Sequence, residues 1–308
     1  MALKNFTEVE NHKTVQELFC SAEFVRGVES ELILLSALNI FLSITAFLGN
    51  TLILVALHKE NSLYPPSKLL YSNLAITDLC VGITSEPLVV TYWISVVKER
   101  WDICYYTIRG QHFSATVLCS VSLLTLTAIS VDRLLALMLG LRYRQAVTLK
   151  KTSVTVIGFW ILSILGTSTN FWNPIITEWY QCIGLALCLV TTIFAYTKIF
   201  FTLRHHIHFQ NHFAQGQPRQ TISLNIPRYR KAVYSALWVQ VTLVLCYLPH
   251  GIVFILAVQR GISLSVHLAL RWTLTLVYLN SSLNPLLYCW KIREVRQAVK
   301  ATLRQVFC

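Results

Sequence analysis

The sequence contains few charged residues. Only 13% of its 308 residues are Asp, Glu, Lys or Arg, and 55% are hydrophobic, whereas a soluble globular domain has about 25% charged residues. Glycine and proline are also scarce, at 11 and 8 residues, which excludes collagen-like and low-complexity chains. Disorder is excluded because so many aromatic and aliphatic side chains cannot stay solvated. The chain is therefore either an unusually apolar soluble protein or a membrane protein.

Charge is missing from long continuous stretches. Six segments of at least 19 residues contain no Asp, Glu, Lys or Arg: 32–58, 110–131, 152–177, 179–197, 232–259 and 272–290. A seventh, 69–97, is interrupted only by Asp78 and Glu86. About 20 apolar residues of helix cross about 30 Å of hydrocarbon, and helices satisfy their own backbone in lipid. The sequence therefore predicts seven membrane-spanning helices.

We predict an all-α fold, a seven-transmembrane-helix bundle with a short amphipathic eighth helix at the C-terminus. Residues 1–30 are predicted to form an extracellular N-terminal segment and residues 31–290 the bundle. Residues 291–308 are predicted to form a cytoplasmic amphipathic helix and tail on the membrane surface. The predicted spans are about 31–57, 67–96, 106–138, 152–173, 176–203, 229–258 and 265–289.

The placement of Lys and Arg favours one orientation. With the N-terminus outside, more than twice as many of them lie in or beside inner segments as outer ones, in agreement with the positive-inside rule. The sequence thus predicts a multi-pass plasma membrane protein with an extracellular N-terminus and a cytoplasmic C-terminus. Its net charge of +12 then indicates topology and attraction to anionic membrane lipid rather than a nucleic-acid partner.

Two modification sites follow from this topology. Asn5-Phe6-Thr7 is a glycosylation acceptor on the outer side, and Cys308 is a palmitoylation site beside the amphipathic segment. We expect no cleavable signal peptide, because the first thirty residues carry five acids and no long apolar run.

Three cysteines are predicted on or near the outer side, where oxidation is possible. They are Cys20, Cys104 and Cys182. Three residues cannot all pair, and the sequence does not indicate which two would. Cys80, Cys119, Cys188 and Cys246 are predicted to pack within spans, and no pair of cysteines has metal-ligand spacing.

Polar residues inside a membrane span are costly unless they are paired or hydrated, so they mark function. Asp78 lies in the middle of the second predicted span, and Asn280 and Asn284 share one face of the seventh. Two interpretations stay open: scattered polar contacts between helices, or one hydrated cluster around Asp78. The cluster would include Asn50, Ser122 and Ser281.

Several short motifs follow one another in successive spans. They are Gly49-Asn50, Asn73-Leu74-Ala75-x-x-Asp78, Asp132-Arg133, Trp160, Tyr196, Pro249 and Asn284-Pro285-x-x-Tyr288. In these motifs the chain resembles the rhodopsin-like (class A) G protein-coupled receptors over all seven spans. The resemblance implies a receptor that binds an extracellular small-molecule or peptide ligand between its helices and activates a heterotrimeric G protein. It implies no enzymatic activity and no required cofactor.

The resemblance also assigns roles to residues. Asp78, Ser122, Asn280 and Asn284 match the family's sodium-binding cluster, supported by Asn50 and Ser281, with Na⁺ as an allosteric ion. Arg133, beside Asp132, matches the arginine that meets the G protein when the sixth helix moves outward. Tyr196 and Tyr288 match tyrosines that hold that open arrangement. Pro249 bends the sixth helix, and Leu141 matches a hydrophobic anchor for the G protein.

The chain departs from the family pattern at several positions. Leu134 follows Asp-Arg in place of the usual tyrosine, and Tyr247 replaces the usual tryptophan two residues before Pro249. Cys188 stands where most relatives have proline, and Ile108 stands where the third-helix cysteine is expected. The missing fifth-helix proline, the missing third-helix cysteine and a short second outer loop together resemble the melanocortin, cannabinoid and lysophospholipid receptors. The segment 290–297 is more similar to adenosine receptors.

Key residues for four familiar ligand chemistries are missing from their positions. Ala115 replaces the amine-binding aspartate, Tyr278 the retinal lysine and Phe254 the adenosine-binding asparagine; Ile108 and His112 replace the melanocortin acids. An apolar pocket with few polar groups is expected instead, alongside aromatics of the membrane interface. Its candidate residues are Glu86, Trp93, His112, Phe113, Ala115, Thr116, Tyr247, His250, Phe254, Trp272 and Tyr278.

Two further expectations concern acids. We expect Glu86, the one acid in the outer part of a span, to pair with Arg109 or Arg271; binding of a cationic ligand is the alternative. No Asp or Glu occurs between Glu178 and Glu294, so the sixth helix offers Arg133 no acidic partner.

Two other functions stay open. A seven-span transporter or light-driven ion pump is disfavoured because no internal repeat is found and no lysine lies centrally in a span. A receptor-like protein without signalling is the other alternative, since Leu134 and Tyr247 replace residues typical of the family.

Overall fold

The computed structural model describes residues 19–21, 27–59, 63–213, 226–261, 263–291, 296–297 and 299–300. Seven long helices make up most of these residues, and none of the described residues lies in a strand. The helices are α1 (Glu29–Lys59), α2 (Pro65–Val97), α3 (Trp101–Leu139), α4 (Leu149–Ser168), α5 (Pro174–Phe213), α6 (Ile226–Arg260) and α7 (Leu264–Lys291). The predicted all-α bundle is therefore confirmed. The predicted eighth helix lies largely outside the described residues and stays a prediction.

Six of the seven helices, α1 to α6, are long and apolar enough to cross a membrane. The seventh is less apolar because it carries Arg271 and a run of Asn and Ser over 280–284. Six helices begin and end within about five residues of the predicted spans. The larger difference is that α5 continues to Phe213; α4 ends at Ser168, where a 3₁₀ turn (Thr169–Phe171) follows.

Local sequence explains where several helices begin and end. Two prolines open α2, at positions where the missing N–H group costs nothing. The hydroxyl of Thr148 caps α4 by accepting from the backbone N–H of Lys151 at 3.5 Å. Gly140 follows α3 with φ of 50°, and Gly261 follows α6 with φ of 81°, a conformation that glycine adopts without a steric penalty at a helix end.

A π-helical segment, Val81–Ser85, interrupts α2. Pro87 follows it closely, and a proline inside a helix removes a hydrogen bond and crowds the carbonyl four residues earlier, here that of Ile83. The wider π turn relieves this crowding and changes which residues face the bundle. Glu86, the first residue after the segment, is fully buried.

The distribution of side chains is the reverse of that in a soluble protein. Large apolar side chains cover the outside of the bundle, among them Phe41, Phe47, Ile161, Leu165, Leu187 and Val190. Buried polar side chains lie inside, among them Asn39, Asn50, Thr77, Asp78 and Asn284. Lipid rather than water is the solvent that suits this surface.

The helices pack around α3, which contacts α2, α4 and α5. Helix α1 packs between α2 and α7, and α6 packs between α5 and α7. Polar links tie the centre together: Trp160 of α4 donates to Asn73 of α2 at 3.0 Å, and Asn73 donates to Thr125 of α3 at 2.8 Å.

Two glycines allow α7 and α2 to pack closely against α1. A Cβ atom at Gly49 of α1 would lie 2.9 Å from the ring of Pro285 in α7. A Cβ atom at Gly82 of α2 would lie 3.1 Å from both the Ala46 side chain and the Ser43 carbonyl oxygen of α1. Both contacts are with atoms that cannot move aside easily.

A disulfide joins Cys20 of the N-terminal segment to Cys104 in the first turn of α3, with their Cα atoms 6.0 Å apart. The structure thus selects one of the pairings that the sequence left open. The ring of Phe19 packs edge-on against His267 of α7, with centroids 4.4 Å apart. We call this the disulfide end of the bundle. The opposite end, where α3 finishes, is the Arg133 end.

Candidate functional site

A polar cluster lies at the centre of the bundle around Asp78 of α2. Asn284 of α7 donates from Nδ2 to Asp78 Oδ2 at 2.7 Å, and Ser122 of α3 donates to Asp78 Oδ1 at 3.4 Å. All three residues are buried. Helices α2, α3 and α7 therefore meet at one carboxyl group.

Three buried asparagines assigned to this cluster have amide oxygens without donors in the described part of the structure. Asn50 donates from Nδ2 to the carbonyls of Ala46 at 2.9 Å and of Ser281 at 3.1 Å. Among the described residues no donor reaches Oδ1 of Asn50, Asn280 or Asn284. A carboxylate with neutral oxygens is the set of ligands that hard cations prefer. The residues of the cluster thus fit a small cation such as Na⁺.

A second polar group lies at the Arg133 end. Asp132 accepts hydrogen bonds from the hydroxyls of Tyr143 at 2.5 Å and Ser67 at 3.0 Å, and Arg133 Nη2 lies 3.2 Å from the same carboxyl group. Tyr143 comes from a single helical turn, Tyr143–Ala146, after α3. Leu141, just before that turn, is 91% exposed. An arginine and an exposed leucine are thus presented at this end.

The other residues assigned to activation are placed as follows. Tyr196 of α5 is buried, and its hydroxyl accepts from Ser130 of α3 at 3.2 Å. Pro249 lies inside α6. The side chain of Tyr288 and those of residues 205–240, which include the start of α6, are outside the described part of the structure.

A cavity of about 340 Å³ opens between the helices at the disulfide end. Residues of α2 to α7 line it, together with Phe19 of the N-terminal segment. Seven of the eleven predicted pocket residues are in its wall: Trp93, His112, Ala115, Thr116, Tyr247, His250 and Phe254. Four are not: Glu86, Phe113, Trp272 and Tyr278.

The positions of three of these four residues explain why they were wrongly predicted to line the cavity. Phe113 is 36% exposed and packs beside Phe171, because residues 112, 115 and 116 take the inward face of α3. Trp272 is 38% exposed, because residues 270, 271 and 274 take the inward face of α7. Tyr278 is fully buried and accepts a hydrogen bond from Gln111 Nε2 at 3.0 Å.

The expected ion pair of Glu86 is wrong. Both carboxyl oxygens of Glu86 are buried and have no hydrogen-bond partner among the described residues. The two arginines have other neighbours: Arg109 lies 4.2 Å over the ring of Tyr105, and Arg271 hydrogen-bonds to His267 and Tyr92. Glu86 instead lies directly after the π segment and is fully buried.

Sequence reasoning missed several polar residues of the cavity wall. Gln111, Tyr92, His267 and Arg271 line it, as does Gln181, which lies 3.4 Å from the Thr116 hydroxyl. Spacing could have found some of them. Gln111 lies four residues before Ala115, and His267 lies four residues before Arg271, so each pair shares a helix face.

Seven long helices, six of them long and apolar enough to cross a membrane, with a buried polar cluster and a cavity at one end, define a helical membrane protein. A profile described as "7 transmembrane receptor (rhodopsin family)" matches residues 49–172 and 166–288. The chain therefore belongs to the rhodopsin family of seven-transmembrane receptors, as its motifs indicated. It is a G protein-coupled receptor, a multi-pass membrane protein rather than an enzyme.

Individual relatives are distant but cover most of the chain. The human protein "Probable G-protein coupled receptor 45" is 27% identical, over 89% of this chain and 82% of its own length. Galanin receptor 2a of Danio rerio is 27% identical, over 89% of this chain and 78% of its own. Melanocortin receptor 5 of Rattus norvegicus is 24% identical, over 88% and 84%. Two of these relatives are named for different ligands and one for none, so they leave the subfamily open.

Proposed function

We propose that this receptor binds an extracellular ligand in the 340 Å³ cavity and activates a heterotrimeric G protein with its Arg133 end. The disulfide end would face outward and the Arg133 end the cytoplasm, as the basic residues favour. One observation carries the proposal. Thr116 in the cavity wall and Arg133 lie on the same helix, about 25 Å apart along its axis.

Helix α6 offers a route from the ligand to the G protein. Tyr247 and His250 line the cavity on either side of Pro249, and a proline inside a helix leaves it a hydrogen bond short and prone to bending. If a ligand binds these two side chains more tightly in one position of α6 than in another, it shifts the equilibrium toward the position that it binds more tightly. Movement of α6 at the Arg133 end would then expose Arg133 to the G protein, beside the exposed Leu141.

The polar cluster would hold Na⁺ as an allosteric ion. Asp78 supplies the carboxylate, and Ser122, Asn280 and Asn284 supply neutral oxygens, with Asn50 and Ser281 as supporting residues. Support comes from the amide oxygens that lack donors in the described residues. A cation that binds only the resting arrangement opposes activation by an amount equal to its difference in affinity for the two states.

The remaining expectations stand on the sequence alone. Lipid contact by the amphipathic segment concerns residues largely outside the described part of the chain, and glycosylation of Asn5 and palmitoylation of Cys308 concern residues entirely outside it. They are proposed here as the attachments of a receptor that functions at the plasma membrane.

A variant that fills the cavity tests the proposal. Ala115 is buried in the cavity wall, so Ala115→Phe places a ring inside, whereas Ile157→Phe adds a ring on the exposed face of α4. Cells with sensors for each G protein class are screened with a ligand library. Compounds that activate the unaltered receptor should be about tenfold weaker or more on Ala115→Phe and unchanged on Ile157→Phe. Equal potency on both variants would place the ligand elsewhere.

A further inference from the structure

Arg271 is a buried arginine in the wall of the cavity, near the disulfide end. Its Nε donates to His267 Nε2 at 2.7 Å, and its Nη2 donates to the Tyr92 hydroxyl at 3.3 Å. Its Nη1 is buried and has no hydrogen-bond partner among the described residues. The guanidinium is therefore held in place by two contacts and has one nitrogen left to donate.

No acid balances this charge in the part of the chain that the structure describes. Arg271 forms no ion pair there, and neither Asp nor Glu is among the described residues that line the cavity. An arginine always carries its charge. A buried charge without a counter-ion is strongly unfavourable, so the site favours a ligand that brings a negative charge.

The neighbours of Arg271 position it without neutralising it. Because arginine only donates, His267 must accept at Nε2, so His267 is neutral and adds no second charge. The ring of Tyr92 lies 5.7 Å from the guanidinium carbon, a contact that also favours retention of the positive charge. Both contacts hold the guanidinium at the cavity wall.

The rest of the cavity is mainly apolar. Its wall away from Arg271 includes Leu123, Leu124, Leu185, Tyr247 and Val277. A ligand that fills it needs an apolar body, and its volume of about 340 Å³ is near the lower end for small-molecule sites. Phe19, which packs on His267, would cover the end where the charged group sits.

We propose that the ligand of this cavity is an amphipathic anion, a carboxylate on an apolar body, whose acidic group binds Arg271 and whose body extends toward Tyr247. This inference rests on the proposed function, because it names the ligand class of the same cavity. A carboxylate can accept from Nη1 with charge-assisted hydrogen bonds. A fatty acid and an aromatic acid share this chemistry.

Matched pairs of acid and amide test the proposal. The full chain is purified in phosphatidylcholine nanodiscs, and its thermal unfolding midpoint is followed against decanoate and decanamide, and against 4-phenylbutyrate and 4-phenylbutanamide. At least one acid should stabilise the receptor at about a tenfold lower concentration than its amide, the ratio expected for a charge-assisted hydrogen bond. The better pair distinguishes a chain from a ring. Equal effects of acid and amide in both pairs, or no effect of any, would overturn the proposal.

Variants assign the preference to Arg271. Arg271→Gln should bring the stabilising concentrations of acid and amide within about twofold of each other, and Arg271→Lys should keep part of the preference for the acid. Arg109→Gln changes an arginine of α3 that is outside the cavity wall and should keep the whole preference. A preference that survives Arg271→Gln would overturn the assignment. The comparison on the unaltered receptor decides the ligand class even where Arg271→Gln does not fold.

One competing partner belongs to the chain itself. Glu17 and Glu23 flank Cys20 in the sequence, outside the described residues. If either were the counter-ion of Arg271, a variant with both changed to Gln would gain an acid preference that the unaltered receptor lacks, and that result would overturn the proposal. The ligand class and the ligand site can fail separately. If acid and amide stabilise the receptor equally and Ala115→Phe abolishes both effects, the carboxylate proposal fails but the cavity remains the ligand site.

Discussion

Asn284 and Asp78 are joined by a 2.7 Å hydrogen bond in which the amide nitrogen of Asn284 donates to the carboxyl group. The bond links α7 to α2 and fixes the orientation of the amide. Its oxygen therefore points away from Asp78 and, like that of Asn280, has no donor among the described residues. A buried carboxyl group whose neighbours include amide oxygens without donors is stabilised by a bound cation.

Asp78→Asn should abolish stabilisation of the receptor by sodium. The purified unaltered receptor should unfold at a temperature a few degrees higher in sodium chloride than in N-methyl-D-glucamine chloride, because an ion that binds only the folded protein stabilises it. The variant lacks the carboxylate and should unfold at the same temperature in both salts. Asp102→Asn, the same change at an exposed acid of α3, is the control. An unaltered receptor that does not distinguish the salts contradicts the sodium site.

Gly49→Ala should destabilise the bundle by about 1–3 kcal/mol, because the added methyl group meets the rigid ring of Pro285. Gly158→Ala is the matched control, since nothing lies within 4 Å of a Cβ atom there. That control should be neutral or stabilise α4 by up to about 1 kcal/mol. Thermal unfolding of both variants in the same detergent measures the difference. Similar midpoints for the two would show that α1 and α7 are not closely packed.

Glu86→Gln should not destabilise the receptor. Glu86 has no hydrogen-bond partner to lose among the described residues, and a buried neutral amide costs less than an unpaired buried carboxylate. Asp132→Asn is the contrast, because Asp132 contacts Tyr143, Ser67 and Arg133 and should cost about 1–3 kcal/mol. A fall of the unfolding midpoint on Glu86→Gln as large as that on Asp132→Asn would reveal a hidden partner of Glu86.

The sequence was sufficient to predict the bundle, because charge-free runs and family motifs depend on local composition and order. It also placed Asp78 and Asn284 in one candidate cluster, since both belong to recognised motifs. It was wrong about the pair of Glu86, because the five-residue π segment before Glu86 changes which residues of α2 face the bundle, and Pro87 alone does not reveal such a segment. It left the partner of Cys104 open, because a disulfide between residues 84 positions apart depends on the path of the chain. The sequence indicated Arg271 only as a partner for Glu86. The other residues of the cavity wall come from several helices, and the sequence alone does not show that they meet Arg271.

Ligand-independent signalling is expected to be appreciable and lowered by Tyr229→Glu. Arg133 pairs with Asp132 of its own helix, and α6 contains no Asp or Glu, so α6 cannot supply an acidic partner for Arg133 that would restrain the resting state. A new exposed ion pair is worth up to about 1 kcal/mol, which changes the active fraction about fivefold. Tyr229→Gln, which adds no charge, is the control. Basal signalling equal to that of empty-vector cells, with the receptor shown at the surface, would count against this expectation.

Nucleotide exchange on purified heterotrimeric G proteins tests most directly whether the Arg133 end activates them. The full chain is reconstituted in lipid vesicles with a member of each G protein class, and the rate of GTP binding is measured for the unaltered receptor and for Arg133→Ala in equal amounts. We predict that the unaltered receptor accelerates exchange on at least one G protein and that Arg133→Ala loses about tenfold or more of that acceleration while its unfolding midpoint stays close. Equal acceleration by the two proteins, or none by the unaltered receptor with any class, would contradict the account.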